Sequence, residues 1–323
     1  MTSSIRAAAA ALVVMLLSSA PVRAGGQQPS ATTGDVPAVL WNDPGAIAAR
    51  DVFWGSGSEA RAPRGPFTFV EEDTGGTQPK IVVTDAAGVT WDVKLGPEAQ
   101  AEVAANRLVW ALGYFVEELY FVSAGKLDKW PALKRGSELI DAAGAFTNAR
   151  FRRRDAQTVR TDEEWTFDRN PFVDRPELGG LRILMTMINN WDVRGAANNR
   201  VLEATGSDGR RERRFIVADL GATFGRMGGR ISKRSKWNLE DFLQEGFIEQ
   251  VRNGIVHLDY DGLDSGMDRV PLEHARWFAA LASQLTEAQI RKAFEAAGAT
   301  PQEVEGYSKK IVEKIAQLQA AAR

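Results

Sequence analysis

The sequence predicts an α+β chain in two lobes, a small antiparallel sheet carrying one helix followed by a mainly helical half. Three observations carry this reading. Between Pro66 and Leu95, three short β-rich runs are separated by glycine turns. Gly96-Pro97 then opens a stretch whose apolar residues recur at helical spacing. From Trp237 onward, helical periodicity dominates.

The 323 residues are 44% hydrophobic and 25% charged, enough for a substantial core in two domains or one bilobal domain. A net charge of -2 gives no global basic field, so no nucleic-acid partner is expected. There is no cysteine, and the two histidines are His257 and His274, which excludes a thiol nucleophile and a cysteine–histidine zinc site.

Residues 1–24 read as a secretory signal. Arg6 supplies the positive start, Ala7 to Leu17 the apolar run, and Val22 and Ala24 the small residues before cleavage. Export to a periplasm or the exterior follows from that reading. No later apolar run is long enough to cross a bilayer, so no integral span is expected after signal removal. Residues 25–45, rich in Gly, Gln, Pro, Ser and Thr, read as a flexible linker. The first lobe is then 46–160 and the second 161–323.

Trp54-Gly55-Ser56-Gly57 lacks a following Gly-Lys-Ser and reads as a surface turn. Phe67 to Val70, Lys80 to Thr84 and Val89 to Leu95 form a three-strand meander. Its third strand sends Val89, Trp91, Val93 and Leu95 to one face and Thr90, Asp92 and Lys94 to the other. Pro97 suits a first helical position. The helix that follows carries Ala101, Ala104, Ala105, Leu108, Ala111 and Leu112 on its stripe and stops at Gly113. Glu98 complements the helix dipole. Glu102, one turn deeper, either pairs with Lys94 or faces water. Phe115 to Val122 reads as a returning strand.

Arg150 to Arg160 is a basic cluster that is either a solvated strand or linker between lobes or a surface for phosphates or acidic partners. Glu163 to Asn170 reads as loop, and Leu178 to Ile188 as an apolar helix leading into Asn189-Asn190-Trp191-Asp192. Further on, Leu272 to Leu285 and Pro301 to Ala321 read as helices, with Thr286 capping another between them. His274 falls on the first of these as a packed or surface side chain.

The chemistry concentrates between Met187 and Gly225. Asp192 follows an apolar run, Asn198 and Asn199 come six and seven residues later, and the β-rich Phe215 to Ala218 ends in Asp219-Leu220-Gly221. Phosphoryl transfer from a nucleotide needs one carboxylate to orient a hydroxyl, and a second carboxylate with an amide to hold a divalent cation.

In this order, the meander, Lys94, the helix with Glu102, Asp192, Asn198/Asn199 and Asp219-Leu220-Gly221 resemble the protein-kinase-like superfamily. The flavour is that of its divergent branches: HipA-type, CotH-type, phosphatidylinositol 4-kinase and secretory-pathway Golgi kinases. AEVAANRLVWALGY looks like the helix those branches place after the lysine strand. The resemblance covers residues 66–225 and the remainder only by architecture. It implies a bilobal protein-kinase-like fold that uses ATP or another nucleoside triphosphate with Mg²⁺ or Mn²⁺. Lys94, held by Glu102, would contact the α- and β-phosphates, beneath the turn bearing Gly75 and Gly76. Asp192 would orient the acceptor hydroxyl of a protein, sugar or lipid. Asp219 with Asn198 or Asn199 would bind the metal. Asp92 stands where protein kinases keep a small apolar residue against adenine. The basic residues after Gly225 (Arg226, Arg230, Lys233, Arg234 and Lys236) are either solvated or suit an anionic acceptor. The same frame would also serve a catalytically inactive binding or scaffold module of the cell envelope, with Asp192 and Asp219 as caps.

Overall fold

The structure, a computed structural model, describes residues 36–76, 78–154, 158–228, 233–264 and 266–323. The signal peptide expected at 1–24 and the linker up to residue 35 lie outside them. What is described of that linker is tied down, which corrects the expectation of a loose segment to residue 45. Strand β1 (Ala38–Val39) pairs in parallel with residues 213–214, Leu40 is buried, and the Trp41 indole donates to the Leu112 carbonyl at 2.8 Å.

The expected meander forms as β2 (Phe67–Asp73), β3 (Lys80–Thr84) and β4 (Thr90–Leu95). Helix α1 (Glu98–Ala111) follows, and Gly113, at φ +88°, ends its exit turn. Two longer strands, β5 (Leu119–Asp128) and β6 (Ala145–Arg153), then pair with each other and with the meander. The result is a closed barrel in the order β2-β3-β4-β6-β5, sealed by parallel pairing of β2 with β5, instead of a small open sheet. Trp91, Val93 and Leu95 of β4 point inside with Phe67, Tyr120 and Phe151, as the period of two requires, while Asp92 and Lys94 point out. Alpha-helix α1 is buried along nearly its whole length, and its alanines allow close approach to β6 and the later helices.

The second half departs from the expectation of a mainly helical lobe. Strand β7 (Val159–Glu164) begins at the end of the basic cluster, where a solvated strand or a linker was expected, and the boundary drawn at residue 160 falls inside it. Helices α2 (Pro176–Met187) and α3 (Gly195–Asn198) lead to the hairpin β8 (Asn199–Thr205) and β9 (Arg211–Val217), giving a four-stranded sheet β1-β9-β8-β7. After α4 (Leu239–Gln244), strands β10 (Ile248–Arg252), β11 (Ile255–Leu258) and β12 (Arg269–Pro271) form a second sheet. These runs of three to five residues are too short for alternation to stand out between helices.

The closing helices are those expected: α5 (Leu272–Ala282), α6 (Glu287–Glu295) and α7 (Pro301–Ala321). Thr286 and Thr300 each make a full capping box, with Gln289 and Glu303. His274 is buried on α5. Val304, Ile311, Ile315 and Leu318 bury one side of α7 in the core shared by α1, α2 and α5. Among the described residues, no helix is long and apolar enough to cross a membrane.

Candidate functional site

The site is built at the corner where β4 runs into α1. Strand alternation places Lys94 outside the barrel, and the helix begins only four residues later. Lys94 Nζ therefore meets two carboxylates of that helix, Glu98 Oε2 at 3.1 Å and Glu102 Oε2 at 2.7 Å. A third, Asp219 Oδ1, approaches to 3.4 Å from beyond β9. The Lys94 side chain is only 6% exposed. Burial alone would disfavour its charge, but Glu102, Asp219 and Glu98 outweigh burial and the nearby Arg150 and hold the ammonium pKa above its ordinary value.

Glu102 is shared. Its other oxygen, Oε1, lies 3.1 Å from Arg150 Nε, and Arg150 stands directly across the β4–β6 ladder from Lys94. Two buried cations thus flank one buried carboxylate. Glu98 is shared in the same way, pairing with Lys94 through Oε2 and with Lys236 through Oε1. Sequence reading held both only as members of basic runs, Arg150 in the 150–160 cluster and Lys236 after Gly225, and foresaw neither pairing with these carboxylates. The signal for Arg150 was the alternation Arg150, Phe151, Arg152 inside the basic cluster, which puts both arginines on the face opposite a core phenylalanine.

Asp219 is positioned by its own backbone. The N–H groups of Ala218 and Asp219 both donate to the Asn198 carbonyl, at 2.6 and 3.2 Å, and Gly221 N–H donates to Asp219 Oδ1 at 3.0 Å. Burial pushes the Asp219 carboxyl pKa up, but Lys94, the Gly221 N–H and Arg150 together pull it below the usual value. Gly221 also has a steric reason to be glycine: a Cβ there would lie 2.8 Å from Glu98 Oε2.

Asp192 sits in the loop after α2. Its carboxylate accepts from Arg194 Nε at 2.8 Å, and its carbonyl accepts from the Asn198 side-chain amide. That loop is laced to the segment after Asp219. Trp191 N–H donates to the Ala222 carbonyl at 3.3 Å, Phe224 N–H to Ile188 at 3.0 Å, and the Asn189 amide to Gly225 at 2.8 Å.

Lys94, Glu98, Glu102, Asp192, Asn198 and Asp219 all line one cavity of about 680 Å³, as do Gly75 and Gly76. The two glycines sit in the β2–β3 turn, where Arg135 donates to both of their carbonyls. Asn199 is the expected site residue that does not face the cavity. It is fully buried, and its amide donates to the Trp165 and Val193 carbonyls, both at 3.1 Å. The alternative left open between the two asparagines therefore separates by position: Asn198 opens onto the cavity and Asn199 anchors the loop. Among the described residues no group of three or more carboxylates and histidines forms a ready cage for a metal. With its amide nitrogen committed to Asp192, Asn198 has its side-chain oxygen left. That oxygen and Asp219 make a sparse, hard, oxygen-only donor set, the kind that suits a Mg²⁺ or Mn²⁺ completed by phosphate oxygens and water.

No protein-family model and no curated protein matches the chain. Among solved structures it is similar to the Golgi casein kinase, with a TM-score of 0.41 and 10% identity over 85% of this chain and 82% of that one. It is also similar to the Golgi casein kinase with Mn/ADP bound, with a TM-score of 0.39 and 12% identity over 80% of this chain and 73% of that one.

Proposed function

We propose that this protein is an exported kinase-like phosphotransferase. It moves the γ-phosphate of a nucleoside triphosphate, with Mg²⁺ or Mn²⁺, to a hydroxyl of a protein, sugar or lipid. One observation carries the reading: a strand lysine, a helix glutamate and an aspartate 125 residues beyond the lysine come together at one cavity wall, with Asp192 and Asn198 lining the same space. Lys94, fixed by Glu102, neutralises non-transferring phosphates. Asp219 and Asn198 hold the cation, and Asp192 orients the acceptor hydroxyl. A transferring phosphoryl group spreads negative charge over its oxygens, so pre-placed cations beside it are the main catalytic resource. Arg226, Lys233, Arg234 and Lys236 follow Gly225 among the described residues, and they suit an anionic acceptor. Arg230 lies outside the described residues.

The test is transfer of labelled phosphate by the purified protein in Mn²⁺ or Mg²⁺. Transfer should vanish in Asp192→Asn and in Asp219→Asn while both variants keep the circular dichroism of the parent. Labelling that survives both changes discards the site.

A second reading, a catalytically inactive binding module of the cell envelope, is favoured by one observation. Beyond Lys94 the cavity wall is charged: Asp92 carries Arg152 and Arg154, both at 2.7 Å, in place of an apolar slot for a base. Binding of nucleotide without transfer, or of neither nucleotide nor metal, would support it.

A further inference from the structure

The cavity has a second end. Asp92 lies two residues before Lys94 on the same face of β4, about 6.6 Å away at the rise of a strand. Around it stand Glu117, Arg152, Arg160 and Arg200, all lining the same space as Lys94 and Asp219. Asp92, Glu117, Arg152 and Arg160 also line an adjoining cavity of about 620 Å³, so the wall continues past them.

These groups are unequally satisfied. Arg152 is paired on both sides, with one nitrogen on Asp92 at 2.7 Å and another on Glu117 at 2.5 Å. Arg160 is not. Its side chain makes no hydrogen bond to any described residue, and its ion pair is a distant 4.0 Å to the Glu117 oxygen that Arg152 already holds. The other Glu117 oxygen, Oε2, accepts no hydrogen bond from the described residues. Partial burial lowers the Arg160 pKa and Glu117 opposes it, while Arg152, Arg200 and Arg150 add repulsion. The wall thus holds a guanidinium fork short of acceptors beside a carboxylate with room for donors.

We propose that this end of the cavity recognises the base of the nucleotide and prefers guanine, with Arg160 and Glu117 as the specificity-determining residues. The inference rests on the phosphotransferase reading above, which places the phosphates at Lys94. A guanidinium fork needs two acceptors side by side, and guanine offers O6 and N7 on one edge. A carboxylate calls for donors, and guanine offers its N2 amino group and ring N–H. On adenine the N7 acceptor is flanked by the N6 donor, so no edge presents two adjacent acceptors to an arginine. A base that leaves Arg160 or Glu117 desolvated and unpaired is rejected more strongly than one that merely fits loosely. The flat guanidinium of Arg200 adds a face on which any base can stack.

The experiment is a thermal-shift titration of the purified chain with the Mn²⁺ complexes of GDP, ADP, UDP and CDP, with manganese tripolyphosphate as a base-free probe. Ligand binding to the native state raises the apparent melting temperature with ligand concentration, so each titration returns an apparent affinity. GDP is expected to bind about tenfold or more tighter than ADP, the worth of one good bidentate contact. In Arg160→Met and in Glu117→Gln the preference should fall towards parity. An adenine or pyrimidine nucleotide binding as tightly as GDP overturns the base assignment and leaves the phosphate site standing. A GDP preference unchanged in both variants overturns the assignment to these residues. A shift with tripolyphosphate but none with any nucleotide overturns base recognition alone. No shift with any probe overturns both this inference and the phosphotransferase reading.

Discussion

Lys94 and Asp219 lie 125 residues apart in sequence and 3.4 Å apart in the fold. The lysine arrives on a barrel strand, and the aspartate follows the last strand of a different sheet. The contact is therefore a property of how the two halves pack, and neither half makes it alone.

Glu102 is the group whose loss should cost most. It is the carboxylate between Lys94 and Arg150, both nearly fully buried. Glu102→Ala leaves two buried cations without their shared partner, and we expect a loss of about 3–5 kcal/mol, the usual cost of orphaning a buried ion pair. Glu102→Gln, which keeps shape and one acceptor, should cost less. Urea unfolding of the three proteins checks the order, and equal stability of Glu102→Ala and the parent would remove Glu102 from its central place.

Acid should weaken the fold through the same wall. The carboxyl pKa values of Asp92, Glu117 and Asp219 are all held below their ordinary values. In each case burial works the other way and is outweighed, by Arg154 and Arg152 for Asp92, by Arg152 and Arg160 for Glu117, and by Lys94 for Asp219. A lowered folded-state value means stabilisation that is complete above the unfolded value and is lost as pH falls through the folded one. Unfolding midpoints should therefore be lower at pH 3 than at pH 5, with the fall beginning below about pH 4.5. A flat profile across that window contradicts the pairing.

Lys314 gives the same sign of pH dependence in an alkaline window, and here burial is the cause. It is fully buried on α7, where its amine donates to the Met187 carbonyl at 3.0 Å and to Asn189 Oδ1 at 2.6 Å. Burial, with some repulsion from Lys310, depresses its pKa well below the ordinary value of 10.5, against weaker pulls from Glu245 and Asp259. Lys314→Met should cost about 1–3 kcal/mol for the acceptors it strands. The unfolded chain binds the extra proton, so this lysine's contribution grows as pH rises towards 10.5. The gap between parent and variant should widen from pH 6 to pH 9 in chemical denaturation, and a narrowing gap would contradict a depressed value.

Gly113 tests the joint between β1 and α1. Its φ is +88°, and a Cβ would fall 2.4 Å from the Asn42 carbonyl oxygen. Gly113→Ala should therefore destabilise by about 1 kcal/mol or more, because both the backbone region and the space are closed to alanine. A thermal melt indistinguishable from the parent would contradict this geometry.

What the sequence made legible is what local pattern encodes. The meander, α1, α2 and α5 to α7 follow from periodicity and turn chemistry, and the bounds of α7 are set by Thr300, Pro301 and a continuous apolar side. Lys94 was legible because alternation fixes its face, and Glu102 because helical spacing sets it one turn beyond Glu98. Arg150 was visible only as part of a charge run. Its partnership depends on β4 pairing with β6, a register fixed across 56 residues of chain by the barrel core. Asn198 and Asn199 could not be told apart because they straddle the end of α3 and the start of β8, where a one-residue step turns a side chain to the other side. Strands β10 to β12 escaped because three to five residues between helices leave too little alternation to count.

The parallel pairing of β1 with β9 has a practical corollary. Pro37 accepts from Arg213 N–H at 2.8 Å, and β9 ends two residues before Asp219. Whatever is fastened upstream of residue 36, whether a purification handle, a surface linkage or a fusion partner, tugs on the strand that delivers this acid. Immobilisation for binding measurements therefore belongs at the opposite terminus, and a load applied from the front end should loosen Asp219 before it disturbs the barrel.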